Sequence, residues 1–150
     1  MSLISLEHGL AMRTNLRLVF TNGVFDILHA GHIDNLHRAR AMGDLLLVGI
    51  NSDESVRRLG KGTDRPINTL ADRVAVLQAI RYVDGVILFE EDTPVKLIQA
   101  LRPEVYVKGG DYRAEDLMET PVVEGYGGEV VILPLLPGRS TSEIARRWRK

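Results

Sequence analysis

Thr21-Asn22-Gly23-Val24-Phe25-Asp26-Ile27-Leu28-His29-Ala30-Gly31-His32 closes a short apolar run and opens a helical pattern, and its reading decides the fold. Residues 16–20 before it have the composition of a buried strand. Gly23 permits a close backbone approach, and Ile33, Leu36, Ala39 and Met42, with Arg40, continue as a mostly apolar helical face. Two histidines therefore stand at the mouth of a helix. There the amide N–H groups and the helix dipole favour negative charge, and two imidazoles three residues apart can turn toward one anion. A triphosphate is the ligand this arrangement suggests. A lone histidine at such a place is more often an exposed cap, so the argument rests on the combination.

Outward from this stretch, Leu45-Leu46-Leu47-Val48-Gly49-Ile50 is a continuous apolar run, the pattern of a central parallel strand. Ser52 and Asp53 can cap a short helix, after which Gly60-Lys61-Gly62-Thr63-Asp64-Arg65-Pro66 interrupts all periodicity as a basic loop. Helical spacing resumes over residues 70–81, and residues 83–89 read as a strand. Thr93 and Pro94 start another helix that stops before Pro103. Val105-Tyr106-Val107 is a short strand running into Lys108-Gly109-Gly110-Asp111-Tyr112. Residues 113–127 hold at most a short helix, residues 129–133 a last strand, and Pro137-Gly138 leads into a helix from about Ser142. The expected fold is α/β, a Rossmann-like doubly wound five-stranded parallel sheet with helices on both faces. Right-handed crossovers would gather the loops after the strands on one face, where such sheets bind ligands. Residues 1–15 read as a short helix or a loose N-terminal arm, leaving 16–150 as the domain.

With 150 residues the chain is long enough for one real core. Nineteen basic residues balance 20 acidic ones for a net charge of -1, which leaves no broad electrostatic footprint for nucleic acid or an anionic membrane. No cysteine is present, so thiol catalysis and thiolate metal sites are excluded, and a reducing cytoplasm is the compartment this fits. The N-terminus lacks the pattern of a secretory signal. No apolar run approaches the roughly 18 residues of a spanning helix.

His-x-Gly-His after a strand and a Gly-x-Phe-Asp turn resembles the signature of the nucleotidyltransferase superfamily, in which both histidines contact nucleotide phosphates. The resemblance implies that His29 and His32 are catalytic and that Gly23, Val24 and Phe25 lie against the nucleotide. Lys61 stands where cytidylyltransferases of the superfamily carry a lysine on the α-phosphate, and would act as a movable point charge. Gly138-Arg139-Ser140-Thr141-Ser142 resembles the second superfamily motif, implying that Arg139, Ser140, Thr141 and Ser142 receive the β- and γ-phosphates. Ordinary helix capping explains the same hydroxyls, and the two roles are compatible. The glycerol phosphate enzymes carry an arginine three residues before this glycine; here that position is Leu135, with Arg139 as a substitute.

Phe89-Glu90-Glu91-Asp92-Thr93-Pro94 and Val107-Lys108-Gly109-Gly110-Asp111-Tyr112 resemble the adenylyltransferases of heptose biosynthesis, which join ATP and D-glycero-D-manno-heptose 1-phosphate to give ADP-heptose and pyrophosphate. That branch implies a substrate role for Asp26, Lys108, Gly109 and Asp111, although Asp26 and Asp111 also read as turn aspartates. Arg81-Tyr82-Val83-Asp84 instead resembles glycerol 3-phosphate cytidylyltransferases, in which the arginine assists nucleotide binding; Arg81 equally suits a helix C-terminus. The lysine and tyrosine of the 108–112 stretch favour the ATP-using branch. A nucleotide-binding regulator without chemistry is a third reading. The reaction implies Mg²⁺ carried mainly by the triphosphate, with no dedicated protein cage, and the resemblance suggests a homodimer.

Overall fold

In the computed structural model, which describes residues 3–60 and 62–148, the strands β1 (Leu18–Gly23), β2 (Leu45–Asn51), β3 (Gly85–Phe89), β4 (Val105–Gly109) and β5 (Glu129–Leu133) form one parallel sheet in the order β3-β2-β1-β4-β5. The helices are α1 (Leu6–Met12), α2 (Ala30–Arg40), α3 (Asp53–Arg58), α4 (Leu70–Gln78), α5 (Val95–Leu101), α6 (Thr120–Gly125) and α7 (Thr141–Trp148). This is the doubly wound, Rossmann-like α/β fold.

The strands read as unbroken apolar runs because both faces of the sheet are covered. Val19, Leu46, Val48, Ile50, Val105 and Val107 point to one side, where Leu36 and Ala39 of α2 and Val74 and Leu77 of α4 pack. Leu18, Phe20, Leu45, Leu47 and Tyr106 point to the other, against Leu97, Ile98 and Leu101 of α5 and Val123 of α6. Residues 3–15 include α1, capped by Ser5 Oγ accepting from the His8 N–H at 3.1 Å. The Ile4 N–H donates to Val86 O at 2.9 Å, and the Arg13 guanidinium binds Glu104 and the carbonyls of Leu101 and Arg102.

Element boundaries shift where local chemistry overrides periodicity. β1 begins at Leu18 because Leu16 is exposed. α4 ends at Gln78, and the Val83 N–H closes a turn onto Ile80 O before β3 starts at Gly85.

The order of the sheet makes a crevice. β1 pairs with β4 only as far as Thr21 opposite Val107. Beyond that, β1 continues against β2 to Gly23 opposite Ile50, and β4 continues against β5 to Gly109 opposite Leu133. The two central strands thus part at their C-terminal ends, at the point where the winding reverses, which is where open α/β sheets bind ligands. The Thr21 hydroxyl donates to Val107 O at 2.8 Å across the floor.

Arg73 braces this edge from below. Its guanidinium is fully buried and donates to Asn68 O at 3.2 Å, Val24 O at 2.8 Å, Asn51 O at 3.0 Å and Asp53 Oδ1 at 2.6 Å. Replacing Arg73 by Met leaves these acceptors without donors and the Asp53 carboxylate without its cation. The expected loss is about 3–5 kcal/mol, a fall in Tm of roughly 10 °C. Thermal unfolding followed by circular dichroism measures it. Lys at this position is expected to recover little, since one ammonium cannot span the planar fork.

Candidate active site

The turn from β1 into α2 is built for close contact. Phe25 adopts a left-handed backbone, with φ of 52°, that turns its ring inward onto His32 at 5.6 Å between centroids. An aromatic residue held in that region is strained, and such strain concentrates at ligand sites. Asp26, next in the chain, is buried. Its carboxylate accepts from Arg65 Nη1 at 3.0 Å, Ile67 N at 2.9 Å and Asn68 N at 2.8 Å, and its carbonyl accepts from the Asn68 side chain. Burial raises the proton affinity of this carboxyl, but those backbone N–H groups and the Arg65 guanidinium outweigh it and hold the group below the ordinary carboxylate value. Of the two roles open to Asp26, the structure displays the turn-holding one: it fastens residues 65–68 to the start of the site.

His29 and His32 form the cap of α2. His29 Nδ1 accepts from the Gly31 N–H at 3.1 Å, and His32 Nδ1 accepts from the His29 N–H at 3.2 Å. A neutral imidazole that accepts at Nδ1 carries its proton on Nε2, so each ring keeps an Nε2–H to donate. The ring centroids lie 3.9 Å apart. Burial lowers the pKa of His29; His32 is pushed down to about 4 by burial and then by the neighbouring His29. Both rings are therefore neutral near pH 7 while no anion is present.

The second motif reaches the same helix start. A Cβ on Gly31 would lie 2.7 Å from Arg139 O, so only glycine lets the 138–142 segment approach α2 this closely. Ser140 Oγ accepts from the Glu143 N–H at 3.1 Å as the cap of α7, and Thr141 and Ser142 line the cavity. Arg139 and Ser140 lie just outside that lining, the Arg139 side chain turning back to Pro137 O.

The cavity has a volume of about 800 Å³ and extends to both sides of β1. On the β4 side it is bounded by Lys108, Gly109 and Tyr112, with Asn35 of α2 opposite; the Lys108 ammonium sits 5.0 Å from the Tyr112 ring centroid. A Cβ on Gly109 would lie 2.2 Å from Asn35 Nδ2, so the glycine again sets the spacing. On the β2 side the walls are Asn51, Val56, Leu59, Arg65 and Asp92.

The structure thus brings Gly23, Val24, Phe25, Asp26, His32, Lys108, Gly109, Thr141 and Ser142 together, with the His29 ring beside that of His32. It does not bring Arg81 or Asp111. Arg81 follows the end of α4 with its guanidinium 5.7 Å from the Tyr82 ring, and Asp111 is exposed beyond Gly110, leaving the wall to Tyr112. Lys61 lies outside the described residues; Gly60 and Gly62 on either side have φ of 67° and 125°. Sequence reasoning missed Arg73 and Glu119 and left Arg65 undecided. Only Arg73 had a signal, since it falls in the same helical stripe as Leu70, Val74 and Leu77.

The histidine pair makes anion binding proton-linked. In the free protein His32 accepts a proton only near pH 4, whereas an unfolded histidine does so near 6.5. Folding stability from this group is therefore present above 6.5 and is lost as pH falls toward 4. A triphosphate bound at these rings is expected to favour their charged forms and reverse the shift. Proton uptake on nucleotide binding at pH 6, and tightening affinity from pH 7.5 to 6, are the expected results of calorimetry in buffers of different ionisation enthalpy.

Comparison with known proteins agrees with this geometry. Residues 20–147 match the model of the cytidylyltransferase-like family. The chain is 53% identical over 133 residues, covering 89% of itself and 82% of the relative, to the D-beta-D-heptose 1-phosphate adenylyltransferase of Bordetella bronchiseptica. The same identity over the same length relates it to the bifunctional protein HldE of Geotalea uraniireducens, of whose length it spans only 27%. Among solved structures it is similar to a lipopolysaccharide core biosynthesis protein from Thermoplasma volcanium, with a TM-score of 0.65 and 30% identity over 81% of this chain and 97% of that one. A pantoate-beta-alanine ligase from Francisella tularensis, at 15% identity over 97% of this chain and 73% of that one, shares the fold with a TM-score of 0.63. A helix start capped by two histidines at the parting of β1 and β4, and a family match spanning that whole framework, lead to one conclusion: this chain belongs to the cytidylyltransferase-like family of nucleotidyltransferases.

Proposed function

We propose that the chain transfers the adenylyl group of ATP to D-glycero-D-manno-heptose 1-phosphate, giving ADP-heptose and pyrophosphate. The observation that carries this reading is the pair of Nε2–H donors held at the meeting of the α2 and α7 starts. The adenine and heptose assignments draw on the heptose 1-phosphate relative and on the Lys108 to Tyr112 stretch.

A phosphate oxygen of the acceptor attacks the α-phosphorus in line. A new P–O bond forms as the bond to the oxygen bridging toward the β-phosphorus breaks, and pyrophosphate takes that electron pair. No protein nucleophile is required, so the side chains position anions and meet developing charge. His29 and His32 donate to phosphate oxygens from rings whose orientation the helix cap already fixes. Thr141 and Ser142, with the free N–H groups of α7, receive the departing phosphates. Lys61 supplies the cation for the α-phosphate in this scheme, and Lys108 supplies positive charge on the β4 side.

Mg²⁺ accompanies the triphosphate in this reading. Among the described residues no three His, Cys, Asp or Glu side chains converge to hold an ion, and the Asp26 carboxylate already takes three donors, which suits an ion held by phosphate oxygens. When bound, it neutralises charge on the leaving pyrophosphate. No described helix is long and apolar enough to cross a membrane, and we place the reaction in the cytoplasm, where nucleotides and sugar phosphates are found.

Pyrophosphate release with Mg²⁺ tests the proposal, with ATP or CTP paired with heptose 1-phosphate or glycerol 3-phosphate. Release with ATP and heptose 1-phosphate is the expected result. His32→Ala and Lys61→Ala should each lower the rate by about 10²–10³-fold, as loss of a transition-state donor does. Turnover only with CTP and glycerol 3-phosphate, or none with any pair, would overturn the assignment.

A further inference from the structure

One group in the cavity is left unused by the phosphate chemistry. Glu119 stands just ahead of α6 with 5% of its surface exposed, and it lines the cavity on the β4 side. Its side chain does not cap α6, and no described residue gives its carboxylate a hydrogen bond or a salt bridge. The neighbouring Tyr106 hydroxyl feels its charge, for burial and then Glu119 both make that phenol harder to ionise. Yet Tyr106 gives its single proton elsewhere, to Asn22 Oδ1 at 2.6 Å.

The Glu119 carboxylate oxygens are not sealed in the core but open into the cavity, where a ligand can supply the donors the protein withholds. An ionised carboxylate only accepts, through two oxygens set side by side. Its best complement is two donors on adjacent atoms. The Mg²⁺ of the proposed reaction is held by phosphate oxygens, which leaves this carboxylate to neutral donors. A base amino group offers both its hydrogens from one nitrogen, whereas adjacent hydroxyls of a sugar offer two oxygens at a matching separation. Lys108 lies on the same side of β1, its ammonium over the Tyr112 ring.

We propose that Glu119 determines specificity by accepting hydrogen bonds from a pair of adjacent sugar hydroxyls. The inference rests on the cavity being the nucleotidyl-transfer site. The diol can come from the ribose of the nucleotide or from the acceptor sugar.

Glu119→Gln in the full chain separates these cases, because it keeps the shape and removes the charge. Three quantities are compared with the wild type: Tm, the ratio of kcat/KM for ATP over 2′-deoxy-ATP, and the KM for heptose 1-phosphate. Tm is expected to stay near the wild-type value, since the carboxylate has no hydrogen-bond partner among the described residues to lose; a merely structural carboxylate would lower it. A ribose diol predicts that the preference for ATP over the deoxynucleotide falls about tenfold or more while the acceptor KM is kept. An acceptor diol predicts about a tenfold or greater rise in the acceptor KM with the nucleotide ratio kept. A variant that matches the wild type in both selectivities, whatever its Tm, overturns the Glu119 assignment alone. A wild type that releases no pyrophosphate with any pair overturns the transferase reading instead.

Discussion

The site depends on one buried guanidinium. Parallel strands that end in a loop leave carbonyls with no ladder partner, and water cannot reach those beneath a filled cavity. Arg73 meets this problem at three places at once, at the ends of β1 and β2 and in the segment after the basic loop, with Asp53 balancing its charge. Asp26 fastens the same 65–68 segment from above. The turn that carries Phe25, the end of β2 and one wall of the cavity are thereby tied into a single body, and the histidines inherit its rigidity. Sites held to within a fraction of an ångström need this kind of support beneath the groups that touch substrate.

Helix capping and the proposed phosphate contacts divide the two nitrogens of each histidine ring between them, Nδ1 for the backbone and Nε2 for the ligand. A serine or aspartate would cap α2 as well as His29 does, but neither would leave a second nitrogen facing outward. Using Nδ1 for the backbone fixes tautomer and ring direction together. Burial then keeps both rings uncharged, so the free site does not repel itself although two basic groups lie 3.9 Å apart. In the proposed reaction, positive charge develops on them only with the anion that calls for it.

How much of this was legible in the sequence follows from the range of the forces involved. Residues 45–50 announce a central strand because burial on both faces leaves no polar alternation, and the winding follows from the alternation of strands and helices. The histidine motif is legible because helix-start chemistry is local. Arg73 was not, although it shares a stripe with Val74 and Leu77, because its acceptors come from residues 5 to 49 positions away. Glu119 was invisible for a similar reason: a polar stretch looks the same whether the tertiary fold exposes it or seals it. Arg81 shows the reverse, a residue whose local context matched a motif while the turn after α4 directed it to Tyr82. The end of β1, by contrast, was misplaced only by the extension through Gly23 that creates the crevice.

The contact between Gly31 and Arg139 joins residues from opposite ends of the chain at a single point. A ribosome makes the sheet's central strand and its histidines before the 138–142 segment. The emerging polypeptide can begin to assemble β1, β2 and β3 while the phosphate side of the cavity is still missing. The wall that the 138–142 segment builds beside the α2 start is therefore added only after the histidines are in place, and a product cut short before it would display them without that wall.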